Sequence, residues 1–327
     1  MKLVKMKSMK ATKTVVVACV LFCSTHIFAG QKVNETKDAS EDSIVKIEHL
    51  SGKAEIKGWN KKQVKVEGEL GENTKDFQFT RNGKTIEIIV KVEKKSWSSW
   101  GSSHADGDEL VIYVPKKSRV DYRTTNADVE ISDVSGGTDI DVINGRIEAS
   151  NLQGRIRLET VNGDVRAREL AGDVVIDAVN GDIDVEHTSG ENIRIEAVNG
   201  DVEFNSKASD VKVETVNGDM SIKLDTAMDL NMETVNGSID ASVDLDDGGY
   251  IKASSVGGSI DLNLDKDIQA KFDIESHAGG RIRNKFNDVA PQKAKYGPRR
   301  WLEFSTGDPT GTVEVSTVNG TVTLDKR

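Results

Sequence analysis

Four aspartates, Asp164, Asp182, Asp201 and Asp219, each follow an Asn-Gly pair at intervals of 18 or 19 residues. If successive copies stack at the distance between neighbouring strands, about 4.8 Å, these carboxylates form a column. Such a column could hold calcium. A calcium roll, however, uses a nine-residue glycine and aspartate repeat, and Ser238, Ser259 and Thr321 occupy the matching positions here. Charge is therefore not required after the corner, and the column is expected to be structural, with hydrogen bonding across the turn as its work.

The remaining chemistry-bearing residues are sparse. Beyond the first thirty residues stand His49, His104, His187 and His277, none with a second ligand at metal spacing. No serine sits in a nucleophile elbow and no glycine-rich phosphate loop precedes a helix. Acids alternate with bases along the strands, which reads as a solvated face rather than the acidic cleft of a polysaccharide-cleaving β-helix. Catalytic residues, metals and cofactors are accordingly not expected. Contact with a ligand falls instead to Trp97 and Trp100, in the loop KKSWSSWGSSHADGDE, because exposed indoles stack on sugars or anchor partners. The alternative is that they fold back over the sheet end. Arg299, Arg300 and Trp301, with Tyr296, form a second such group.

The elements that must position these residues are strands. From Ile44 onward apolar and polar residues alternate, the mark of half-buried strands. RNGK at 81–84 supplies the positive φ angles of a tight hairpin turn. From about Tyr122 a period takes over: after Asn126 come the corners Asn144-Gly145, Asn162-Gly163, Asn180-Gly181, Asn199-Gly200, Asn217-Gly218 and Asn236-Gly237, and the motif returns at Asn319-Gly320. Before each corner every second residue is apolar (Ile156, Leu158, then small Thr160), and charged residues lie between. One face is buried and one wet. A period near 18 with this pattern predicts an all-β solenoid, similar to a β-helix, with two short strands per repeat and coils that bury their apolar faces against each other. Asn tolerates the left-handed conformation, and its amide can bond to the equivalent Asn one coil away. An antiparallel β-meander, with Thr160 paired to Val165, is the rival.

Along the chain, residues 1–30 read as a secretory signal peptide: five lysines, no acid, the apolar run VVVACVLFC and a small-residue end at Ala29 and Gly30. That run is shorter than the roughly 20 residues a spanning helix needs, so export and release are expected, to the periplasm or the bacterial cell surface. Both cysteines, Cys19 and Cys23, lie in this leader; in the alternative, Val16 to Cys19 act as a lipoprotein box and Cys19 is lipidated. Residues 31–43 are expected as a flexible tail, 44–121 as an N-terminal strand section, 122–283 as the repeat solenoid, 284–311 as a capping insertion and 312–327 as final repeat strands. Without the leader the chain holds 39 basic and 54 acidic residues, a net charge of −15. So acidic a surface repels nucleic acid and anionic lipid.

The leader, the alternating strands that end in IYVP at 112–115, and the repeated TVNG and AVNG corners together resemble the DUF4097 family of exported β-strand-repeat proteins. The family is also described as adhesin-like and is similar to autotransporter adhesin heads with GIN-type repeats. The resemblance implies a non-enzymatic binding or structural protein of the bacterial envelope, whose partner is a protein or a cell-surface glycan. It transfers no site residue. A periplasmic stress-related module that binds another protein is the second reading, and a polysaccharide-acting enzyme the third.

Overall fold

The structure, a computed structural model, describes residues 30–92 and 107–327. Among these residues every regular element is a β-strand. Thr160 lies between Val142 and Ala178, and Asn162 between Asn144 and Asn180, all in parallel register one coil apart. The fold is thus the expected solenoid. The meander is excluded, because each Asn-Gly pair from Asn144-Gly145 to Asn236-Gly237 turns the chain from one sheet into another instead of folding it back beside itself.

Each coil contributes one strand to each of two sheets. Thr138–Asn144, Ile156–Asn162, Val174–Asn180, Asn192–Asn199 and Asp210–Asn217 run up to the Asn corner in the first sheet. Ile147–Gln153, Val165–Ala171, Ile183–Ser189 and Val202–Ser206 leave it in the second. Alternation sends Ile156 and Leu158 inward from one sheet and Val165, Ala167 and Leu170 inward from the other, all fully buried. The core is a continuous apolar stack between the sheets, in which each coil covers its neighbours' side chains. Thr160, Thr215 and Thr234, two residues before the corner, hold buried hydroxyls with no hydrogen-bond partner, and Ala178 and Ala197 fill the same place in other coils. From Thr124 to Ser255 nothing larger than valine, at Val142, fills this place.

The stack is not in chain order at its ends. Strand Ile44–Trp59 passes through both sheets. Its first half lies between Thr85–Val92 and residues 119–124, and its second half between Asp108–Pro115 and residues 126–132. At the other end Gly311–Thr317 lies between residues 250–255 and Ala270–Ser276. Thr321–Lys326 likewise lies between Ile260–Leu264 and Arg281–Asn284. Each end coil in sequence is therefore the penultimate coil in space.

Antiparallel strands then cover the exposed edges, which would otherwise pair with other chains. Thr74–Asn82 covers Thr85–Val92 through the Asn82-Gly83 turn, and Gln63–Glu69 covers Asp108–Pro115. Residues 31–43, read from sequence as a flexible tail, instead carry strand Lys32–Asp38, paired to Gln63–Glu69. Backbone pairing holds it with little apolar alternation, so its sequence is silent. Nor do residues 44–121 stand apart, since Ile44–Trp59 is paired in parallel with Arg119–Ser132. Residues 284–311 contain Gln292–Lys293 and Arg300–Ser305, the latter antiparallel to Ala270–Ser276. Phe286 and Phe304 pack with Phe272 at ring distances of 5.6 and 4.3 Å, plugging the core at that end.

Candidate functional site

The corner is built by three ladders. From Asn144 to Asn236 each side-chain Nδ2 donates to the Oδ1 of the Asn one coil earlier, beginning with Asn126 as acceptor, at 2.8–2.9 Å. Asn319 stands outside this ladder, since it meets the backbone of Val256 beside Gly257. The glycine that follows lies against the preceding coil: a Cβ on Gly181, at φ +150°, would stand 2.1 Å from the carbonyl oxygen of Gly163. The aspartate column accepts backbone hydrogen bonds. Asp164 Oδ1 receives Asp182 N–H at 3.2 Å, Asp182 receives Asp201 at 3.0 Å, and Asp201 receives Asp219 at 2.9 Å. These bonds run between coils and not across one turn. Ser259 Oγ does the same for Thr321 N–H at 3.3 Å, which explains why a hydroxyl can replace the carboxylate. No group of three or more metal-ligating side chains converges among the described residues.

Beside this corner runs a feature that sequence reasoning missed. From Asn144 to Asn236 the residue before each corner Asn points outward, yet it is apolar: Ile143, Val161, Val179, Val198, Val216 and Val235, with Val256 before Gly257, form one column, from 39% exposed at Val161 to 47% at Val256. At about 4.8 Å per coil the ridge is about 30 Å long. Two residues earlier stands a parallel column of acids, including Glu159, Asp177, Glu196, Glu214 and Glu233. Between the two columns lies an open groove of about 780 Å³. Arg157 bonds Glu159 and reaches Asp177 at 3.7 Å; Arg194 bonds Glu196; Lys212 and Lys252 hold Glu214 and Glu233 at 2.8 and 2.5 Å. The acids are thus partly neutralised and the valines are not covered. A signal was present in TVNG itself, since strand alternation assigns its valine to the wet face.

The residues expected to contact a ligand are divided. Trp97 and Trp100 lie outside the described residues, as does His104. Arg299 lies over the Trp301 ring at 5.5 Å but bonds Glu275, while Arg300 is half-buried opposite Ser276 and Lys293. Next to them Tyr296 is 84% exposed, with Lys295 over its ring at 5.4 Å.

Two histidines prove to be interior. His187 Nε2 donates to the Gly172 carbonyl at 3.0 Å, so Nδ1 accepts from Ser206 Oγ at 2.9 Å, and that hydroxyl accepts Ala208 N–H. Burial pushes the His187 pKa below its ordinary 6.5, against the opposing pull of the Gly172 carbonyl and Asp173. The unfolded chain therefore takes up a proton where the folded one does not. The stability this neutral ring contributes is complete above pH 6.5 and declines as pH falls below it. His187→Gln is expected to flatten the acid decline of the thermal midpoint below pH 6.5; an unchanged slope would assign the decline to another group.

His49 belongs to a second buried network. Its Nδ1 lies 3.0 Å from the Tyr122 hydroxyl, and its Nε2 lies 3.2 Å from Asp108 Oδ2, a contact off the line of a good hydrogen bond. Asp108 Oδ1 accepts Gly71 N–H at 2.8 Å and Thr74 Oγ1–H at 2.5 Å. Burial drives the Asp108 carboxyl up, but the nearness of His49 and the bonds from Thr74 and Gly71 outweigh it and hold the pKa below the usual 3.8. Burial likewise raises the Tyr122 phenol. With both ends of the network sealed, it joins four chain segments and offers no reacting surface.

Comparison with known proteins returned one family model, described as Toastrack DUF4097, which matches residues 42–325. No curated protein matches the chain. Among solved structures, a putative cell adhesion protein from Clostridium sporogenes is 12% identical over 91% of this chain and 100% of its own, with a TM-score of 0.21. A putative adhesin from Bacteroides fragilis is 11% identical over 90% and 97%, with a TM-score of 0.36. A third, a putative adhesin from Parabacteroides distasonis, is 9% identical over 91% and 98%, with a TM-score of 0.23.

Proposed function

The chain belongs to the Toastrack DUF4097 family, and from that premise we propose that it is a non-enzymatic, exported protein of the bacterial envelope that binds a partner along its corner ridge. The single observation that carries this reading is the column from Ile143 to Val256, seven exposed apolar side chains held at fixed spacing by the parallel register of the coils. Contiguous apolar surface of this kind marks interaction sites. The ridge has no aromatic platform on which a sugar could stack, and its open groove suits an extended protein segment laid along the apolar column. Among the described residues no helix is long and apolar enough to cross a membrane, and the leader read from residues 1–30 supports export.

The test is photo-crosslinking in intact cells. A benzophenone side chain at Val198 is expected to capture a discrete protein adduct, while the same group at the exposed Asp240 on the second sheet captures none. Val179→Thr with Val216→Thr keeps the β-branched shape, changes stability by at most about 0.5 kcal/mol each, and should abolish the adduct. Identical capture from both positions would remove the ridge from this role. Protease shaving of intact cells then separates surface display, which favours adhesion, from a periplasmic location, which favours a regulatory module.

A further inference from the structure

The repeat body and its closing end carry opposite charge. Residues 133–280 hold 12 basic and 31 acidic side chains, a net −19; residues 281–300 hold 7 basic and one acidic, a net +6. That short basic stretch contributes Arg281–Asn284, the last strand of the second sheet, and the hairpin region that seals the core with Phe286. Arg299 and Lys285 are engaged by Glu275 and Asp325. Arg281, Arg283, Lys293, Lys295 and Arg300 have no ion-pair partner among the described residues. Amid them stands the Tyr296 ring, almost wholly exposed.

We propose that this end docks on the surface of an anionic phospholipid bilayer, with the solenoid axis standing away from it. Basic side chains near such a surface gain from its negative potential, and an exposed tyrosine gains from the interfacial zone beside the headgroups. The acidic body is repelled by the same surface, which opposes a flat orientation and leaves the end-on one. A second copy of the chain is a poorer partner. The carboxylates along its first sheet that could receive the basic end are already held by Arg157, Arg194, Lys212 and Lys252.

The test is co-sedimentation of the purified protein with vesicles of phosphatidylcholine alone or mixed with phosphatidylglycerol. Binding is expected only to the anionic vesicles and should be lost as salt rises from about 0.05 to about 0.5 M. The Arg281→Gln, Lys293→Gln, Lys295→Gln variant should bind about a hundredfold more weakly, roughly fivefold per charge. Removing equal charge from the body, as Lys207→Gln, Lys223→Gln, Lys266→Gln, should not weaken it. All six positions are exposed, so folding is preserved. Both native cysteines lie in the first thirty residues, so single-cysteine labels are clean in the exported chain. A polarity-sensitive dye at Tyr296→Cys should respond to anionic vesicles and one at Val198→Cys should not. Equal binding to both vesicle types, equal weakening by the two triple variants, or displacement by inorganic phosphate at constant ionic strength would each overturn the proposal. So would self-association through the basic end without vesicle binding.

Discussion

Gly181→Ala is expected to destabilise the protein by about 3 kcal/mol or more, a size reserved for changes the fold has no way to absorb. Two costs combine. At φ +150° an L side chain is strained, and the new Cβ would stand 2.1 Å from the Gly163 carbonyl oxygen. That oxygen is backbone within a stack pinned on both sides: Gly163 N–H donates to Asn180 O at 2.9 Å and Gly181 N–H to Asn199 O at 3.0 Å. Relief requires the coils to part. Gly83→Ala is the control, because at φ +61° it meets nothing within 4 Å and should cost only about 1 kcal/mol. Urea titrations of both variants, followed by circular dichroism, measure the difference. Equal midpoints would mean that the coils do not approach so closely at this corner.

Asp108→Ala should be comparably severe, about 3 kcal/mol or more, because it leaves several buried polar groups unsatisfied at about 1–3 kcal/mol each. The loss would strand His49 Nε2, Gly71 N–H and the Thr74 hydroxyl together, none of which reaches water. Since the folded pKa of Asp108 lies below 3.8, its contribution is present above that pH. It is lost in stronger acid as pH falls through the folded value. Asp108→Asn keeps an oxygen for Gly71 N–H but drops the charge, so its cost should be smaller and its stability less steep in acid. Thermal midpoints across the acid range report both effects. If Asp108→Ala melts like the parent protein, the network is not what joins Ile44–Trp59 to its neighbours.

The repeated coils were legible because two signals agreed: strand alternation set the buried face, and the 18-residue recurrence of Asn-Gly set the parallel stack. Strand Lys32–Asp38 was not, since its place comes from backbone hydrogen bonds to Gln63–Glu69, which any sequence can make. The buried network escaped for another reason. His49, Asp108 and Tyr122 are 59 and 14 residues apart in turn, and only the displaced position of Ile44–Trp59 within the stack brings them together. Of the candidate contact residues, Arg299 and Trp301 do meet, though Glu275 takes the charge. Val161 and its equivalents were hidden inside a motif read wholly as a turn.

The interleaving of the two ends bears on how such a gene can change length. A coil in the middle, such as residues 163–180, touches only the coil before and the coil after it. An in-frame duplication there inserts one more identical step and lengthens the molecule by about 4.8 Å, with every other contact conserved. The same duplication at either terminus would push Ile44–Trp59 or Gly311–Thr317 out of the slot between its two neighbours. Inheritance can therefore add or delete copies only in the interior, and the ends act as fixed bookends around a segment of adjustable length.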